Sequence, residues 1–172
     1  MPQRTDIFEL GRLGLTSGEG RRIELHVAVA GFEYGGQRYE VVPPLVPVLL
    51  DVSRTTGSGW AMRLRFEAAL EGPCMRCLEP AAPGFDVDAR EIDQVDGGPE
   101  LDSPYVDGDV VDVHAWAHDA LALELPPQIL HAPDCLGLCP ECGVDLNTAE
   151  PGHAHEKAPD PRWAALRDLK LE

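Results

Sequence analysis

The chain has 172 residues and carries 14 basic against 30 acidic side chains, a formal charge of −16. That length suits one medium domain, or a domain with a small appendage, and is enough to bury a core. The acidity argues against a protein that wraps nucleic acid through its own positive charge. Residues 1–76 are neutral, with nine basic and nine acidic side chains; residues 77–172 hold five and 21 and carry the whole imbalance. The second half therefore repels phosphates, and its natural partner is a cationic protein surface. The plainer alternative is that the acidity serves solubility alone.

Residues 22–29 alternate, with Ile23, Leu25, Val27 and Val29 on one face, as in a half-buried strand. The glycine-rich segment Gly31 to Gly36 reads as a turn connection. Val46, Val48, Leu50 and Val52 define a second strand, and Pro47 places it at a sheet edge or bulge. After a turn at residues 55–59, Trp60, Met62, Leu64, Phe66, Ala68 and Leu70 face one way and charged residues the other. These two runs read as a long antiparallel hairpin. Phe85, Val87 and Ala89 mark a further strand, and the Gly/Asp/Pro-rich residues 94–108 a loop.

A helix is expected from Asp109 as N-cap, with Val113, Trp116, Ala117, Ala120 and Leu121 as its apolar stripe and Pro126-Pro127 as its stop. Residues 148–159 have linker composition. A short helix follows, with Asp160 as N-cap, Pro161 at its first position, and Trp163, Leu166 and Leu169 as contacts. The fold class is α+β: a curved antiparallel sheet with one main helix and a short C-terminal helix. The expected organisation is a single β-rich domain over 1–147, with linker and helix over 148–172.

The chemistry lies in the cysteines. Cys74-Met75-Arg76-Cys77 and Cys139-Pro140-Glu141-Cys142 are two Cys-x2-Cys pairs, each beside turn-forming residues. A two-residue gap lets both thiolates of a pair reach one ion, and two pairs complete a tetrahedral sulfur shell around zinc. The expected site is thus a structural Zn(2+) knuckle of Cys74, Cys77, Cys139 and Cys142, joining the middle of the chain to its C-terminal third. Cys135 stands as a spare thiol or an alternative fourth ligand. A disulfide framework fits poorly, because the five cysteines are odd in number and no signal-peptide pattern or apolar span is visible. A radical-SAM iron–sulfur site would use Cys135, Cys139 and Cys142, but too little chain follows for the barrel those enzymes need.

Other residues weigh less. His131 could donate to a sulfur or replace a ligand. His153 and His155 lie in the polar linker; adventitious metal binding there is the lesser reading and solvation the better one. His114 and His118 are four apart, but Ala115 stands where a zinc protease needs glutamate. Residues 93–109 lack the spacing of a calcium loop. Arg54, Arg63 and Arg65 could line one hairpin face and touch RNA phosphates, or form an ordinary exposed strand face. No catalytic constellation stands out.

The segment Cys74-Met75-Arg76-Cys77-Leu78-Glu79-Pro80 resembles the Cys-x-Arg-Cys-Leu signature of the bacterial YceD family. Leu121-Ala122-Leu123-Glu124-Leu125-Pro126, residues 135–147 and Asp160-Pro161-Arg162-Trp163-Ala164-Ala165-Leu166 are similar to its later blocks, in the same order. Leu136 departs from the lysine common in the family. The resemblance implies a non-enzymatic cytoplasmic factor for accumulation or processing of large-subunit ribosomal RNA. It also implies a basic large-subunit ribosomal protein or the RNA itself as partner, with no membrane and no small-molecule substrate. The alternatives are a zinc-stabilised interaction module unrelated to ribosomes, and a metalloenzyme.

Overall fold

The computed structural model describes residues 3–57, 59–94 and 97–155. The helix expected from Asp160 lies outside them. The strands, in chain order, are β1 (Ile7–Glu9), β2 (Gly20–Val27), β3 (Phe32–Tyr34), β4 (Gln37–Val42), β5 (Val46–Arg54), β6 (Trp60–Pro73), β7 (Pro80–Ala81), β8 (Gly84–Asp93), β9 (Val106–Asp107) and β10 (Val110–Asp112). Among the described residues a single α-helix, α1 (Val113–Glu124), follows. The architecture is α+β, with an open antiparallel sheet and one main helix.

Strand β6 organises the sheet. On one edge Trp60–Arg65 pair with β5 and Ala69–Glu71 with β4; on the other, Trp60–Ala69 pair with β8 and Gly72–Pro73 with β7. The expected inward residues Trp60, Met62, Leu64, Phe66, Ala68 and Leu70 are all buried. Each large apolar side chain among them contributes roughly 1.5–3 kcal/mol on burial. The alternation that identifies the strand therefore also fixes its register, since a one-residue slip would turn this whole row to water. Pro47 lies beyond the end of the β5–β6 pairing, which begins at Leu49, so its missing N–H interrupts no bond to β6.

Two differences from the sequence reading have physical causes. Gly31 to Gly36 is not turn throughout: Phe32–Tyr34 pair with Gln37–Tyr39, and only Gly35 and Gly36, both at positive φ, make the turn. The helix begins later than expected. Asp112, not Asp109, is the N-cap, its carboxylate accepting from Ala115 N–H at 2.8 Å. Val110 and Val111 are β-branched and pair with β1 instead of coiling. Asp109 instead accepts from Trp60 Nε1 at 3.2 Å and from Arg54 at 3.3 Å. The apolar stripe of α1 (Val113, Trp116, Ala117, Ala120, Leu121) is buried as expected.

The chain divides into two compact units between Cys135 and Leu136. In the second unit Leu138 and Asp145 form an antiparallel bridge around the turn that carries Cys139 and Cys142.

At the end of β6, Gly72 faces the ring of the fully buried Tyr39, whose hydroxyl donates to the Pro73 carbonyl at 2.8 Å. A Cβ at position 72 would stand 2.3 Å from Tyr39 Cδ1. Gly72→Ala is expected to cost about 1–3 kcal/mol through overpacking, read as a lower midpoint in urea unfolding. An unchanged midpoint would contradict the packing described.

Candidate metal centres

Strand β6 leads directly into the first cysteine turn. Cys74 N–H donates to the Glu79 carbonyl at 2.7 Å, and Leu78 N–H returns to the Cys74 carbonyl at 3.0 Å. Leu78 closes the turn at φ 66, a conformation that costs a non-glycine residue energy. Met75 N–H donates to the Ile129 carbonyl at 2.9 Å, and Arg76 donates to the Cys135 carbonyl and to Gln128, both at 3.0 Å. The segment after Pro126-Pro127 is thereby tied across the turn.

Four ligand atoms meet there, from Cys74, Cys77, His131 and Cys135, all within 4.8 Å of one another. Cys74 Sγ lies 3.7 Å from Cys135 Sγ, and Cys77 Sγ lies 3.2 Å from His131 Nδ1. In a tetrahedral shell with Zn–S near 2.3 Å and Zn–N near 2.0 Å, ligand atoms stand about 3.8 Å apart for two sulfurs, about 3.5 Å for sulfur and nitrogen, and about 3.3 Å for two nitrogens. The observed separations are close to those edges. The three cysteines are buried, at 0, 5 and 2 % exposure for Cys74, Cys77 and Cys135, while His131 is exposed.

The electrostatics of this cluster call for a cation. Burial disfavours a Cys74 thiolate, but hydrogen bonds from His131 and from the N–H groups of Arg76 and Cys77 outweigh it and bring Cys74 down to about 5. Burial pushes Cys77 the other way, to about 11, with the Cys74 and Cys135 sulfurs adding to the effect against the Glu79 N–H. Cys74 and Cys77 are thus driven in opposite directions, because two sulfurs this close both ionise only with positive charge beside them.

The second cysteine pair has a separate set of neighbours. Cys139, Cys142, His153 and His155 present four ligand atoms within 4.8 Å of one another. The Cys139 N–H donates to the Val144 carbonyl and the Gly143 N–H to the Cys139 carbonyl, both at 2.8 Å, with Gly143 at φ 74. N–H groups of Cys142 and Glu141, with His153, draw Cys139 down to about 6. In each turn the first cysteine thus receives the N–H groups two and three residues on, which orient and stabilise a thiolate ligand.

Among the described residues, Cys74 and Cys77 lie with His131 and Cys135, and Cys139 and Cys142 with His153 and His155, each group within its own unit. Cys135, expected as a spare thiol or alternative ligand, has its sulfur in the first group. For the two linker histidines the sequence favours solvation over adventitious metal binding, and the signal for a shared site is their one-residue gap after Pro151-Gly152. No disulfide links any of the five cysteines. His114 and His118 do not share a site: His114 Nδ1 contacts the Ala28 carbonyl at 2.5 Å, and His118 pairs with Asp119 and stacks on Phe32.

The three arginines singled out for RNA already hold carboxylates. Arg63 pairs with Asp88 at 2.5 Å, Arg65 with Asp51 at 2.7 Å, and Arg54 with Asp109 while lying over the Trp60 ring.

The description "Large ribosomal RNA subunit accumulation protein YceD" matches residues 62–170, which include both cysteine turns. The chain belongs to the YceD family. It is also 34% identical to uncharacterized proteins of Mycobacterium tuberculosis and Mycobacterium bovis, over 98% of this chain and 81% of theirs. A 64-residue stretch is 45% identical to an uncharacterized protein of Mycobacterium leprae, covering 37% of this chain and 28% of that one. No solved structure matches the chain. Among the described residues of this YceD member, no helix is long and apolar enough to cross a membrane.

Burial orders the thiols by access. Limited alkylation of the native, chelator-treated protein is expected to modify Cys142 first, with Cys74 and Cys135 protected until unfolding. Peptide mass mapping checks this, and equal labelling of the three would contradict the burial described.

Proposed function

We propose that this chain is a non-catalytic cytoplasmic factor that supports accumulation of large-subunit ribosomal RNA, and that zinc at Cys74, Cys77, His131 and Cys135 is structural. The family match over residues 62–170 carries the ribosomal part of this reading. The zinc part is supported by the donor set. Four protein ligands fill a tetrahedral shell, leaving no position for substrate or water. Metal bound there would stabilise the fold and the chain's grip on its partner, and it has no step of its own to perform.

Charge favours a protein partner over direct RNA contact. The net charge is −16, and Arg54, Arg63 and Arg65 are each neutralised by a neighbouring carboxylate. A guanidinium must give up that partner before it can bind phosphate, which reduces the net gain. The partner of best fit is a basic large-subunit ribosomal protein, held by the acidic surface and steered to it electrostatically.

Deleting the gene is expected to lower large-subunit relative to small-subunit ribosomal RNA, with the tagged protein sedimenting on large-subunit precursors. Wild-type chain restores the ratio; Cys135→Ser, which removes a ligand from the buried centre, restores it poorly. An unchanged ratio together with no sedimentation on precursors would point instead to an interaction module unrelated to ribosomes.

A further inference from the structure

We infer that Cys139, Cys142, His153 and His155 form a second metal centre with its own ion, exchangeable where the first is buried, and that this ion holds the second unit together. The inference shares the metal chemistry of the preceding reading but none of its residues.

The donor geometry is the first support. Cys142 Sγ lies 3.4 Å from His153 Nε2 and 3.2 Å from His155 Nε2, and the two Nε2 atoms are 3.1 Å apart. Those separations lie near the tetrahedral edges of about 3.5 Å for sulfur with nitrogen and about 3.3 Å for two nitrogens. Two imidazoles aim the same ring nitrogen at one point, with their rings edge-on at 82°.

The supports behind the ligands are also in place. His153 N–H donates to the Glu150 carbonyl at 3.1 Å across a turn with Gly152 at φ 90, which delivers the histidine to the cysteines. On the far side of the His155 ring, Nδ1 lies 3.8 Å from a Glu141 carboxylate oxygen, where an outer-shell carboxylate would orient a ligating imidazole. Sequence spacing follows suit: a Cys-x2-Cys turn and a His-x-His pair each present two ligands from one short segment.

The third support is what this segment lacks. Among residues 136–155 only Gly137 and Cys139 are buried; Leu136 is 66 % and Val144 39 % exposed. Apolar burial within these residues cannot offset the entropy of ordering them, and small units of this kind are held by a staple such as a metal. With no disulfide present, the Cys/His set is the staple available. The same exposure distinguishes the two centres. The sulfurs of the first are covered by the sheet unit, whereas Cys142, His153 and His155 are open to solvent. A chelator can attack the second centre ligand by ligand, and the first only after the chain opens.

The full-length protein, purified with zinc, would be challenged with a chromogenic zinc chelator. The expected result is two equivalents per chain, one released at least about 10-fold faster than the other, the scale on which ligand surroundings alter zinc sites. The double variant His153→Ala/His155→Ala should hold one equivalent and show only the slow phase. Limited proteolysis should then cut it beyond Leu136 while the sheet unit stays resistant. Replacing zinc with cobalt(II) gives a second readout: the variant should lose one of two overlapping thiolate–cobalt absorption components and keep the other. A single equivalent in the wild type, or a double variant that keeps both ions or loses both, would overturn the inference. Absence of any ion from the wild type would also defeat the buried centre, whereas one tightly held ion defeats only this one.

Discussion

Strand β6 is paired along both edges over nearly its whole length, and that constraint decides where the first cysteine turn stands. Its six inward side chains are buried and its two edges are taken by β4, β5, β7 and β8. A strand held in this way cannot shift without breaking four ladders and exposing its apolar row. The turn at its end is therefore delivered at a fixed place, closed by Leu78 in a left-handed conformation. Arg76, reaching both Gln128 and the Cys135 carbonyl, then brings the return segment into register with it. Sheet packing does the positioning, and the Cys/His cluster is assembled on that rigid support.

The two clusters solve different problems. The first closes a unit that already has an extensive apolar core, so its ligands add order at one end of a stable sheet. The second stands in a segment with almost no apolar burial among its described residues, where local ligand geometry must supply the order that packing does not. Arg22 and Arg65 on Asp51, and Arg63 on Asp88, also bear on function: they hold these carboxylates below the usual range and occupy the cationic groups of the sheet face.

Most of the sheet was legible in the sequence because period-two alternation is a direct record of one-sided burial. That holds for β2, β5, β6 and β8, and the helical stripe from Val113 to Leu121 was legible for the same reason at its own period. Short strands were not: β3 and β4 sit against a Gly-Gly turn within a glycine-rich stretch, and β10 is three residues that local capping signals assigned to the helix. The candidate site was half legible. Spacing identifies which two cysteines share a turn, but carries no information on which distant residues complete a shell. That depends on where β6 ends and how the return segment is tied, neither of which Cys-x2-Cys encodes. His153 and His155 were obscured because a Pro-Gly, polar context is the ordinary signature of solvated linker, and here it makes the turn that aims them.

The most direct measurement is zinc X-ray absorption on the full-length protein at two equivalents of metal. Two local shells predict an averaged first shell drawn from all five cysteine sulfurs and from three histidines, His131, His153 and His155, with clear imidazole outer-shell scattering. An all-sulfur shell at a single equivalent, with no imidazole signal, would mean that the two cysteine pairs share one ion, and would contradict the account.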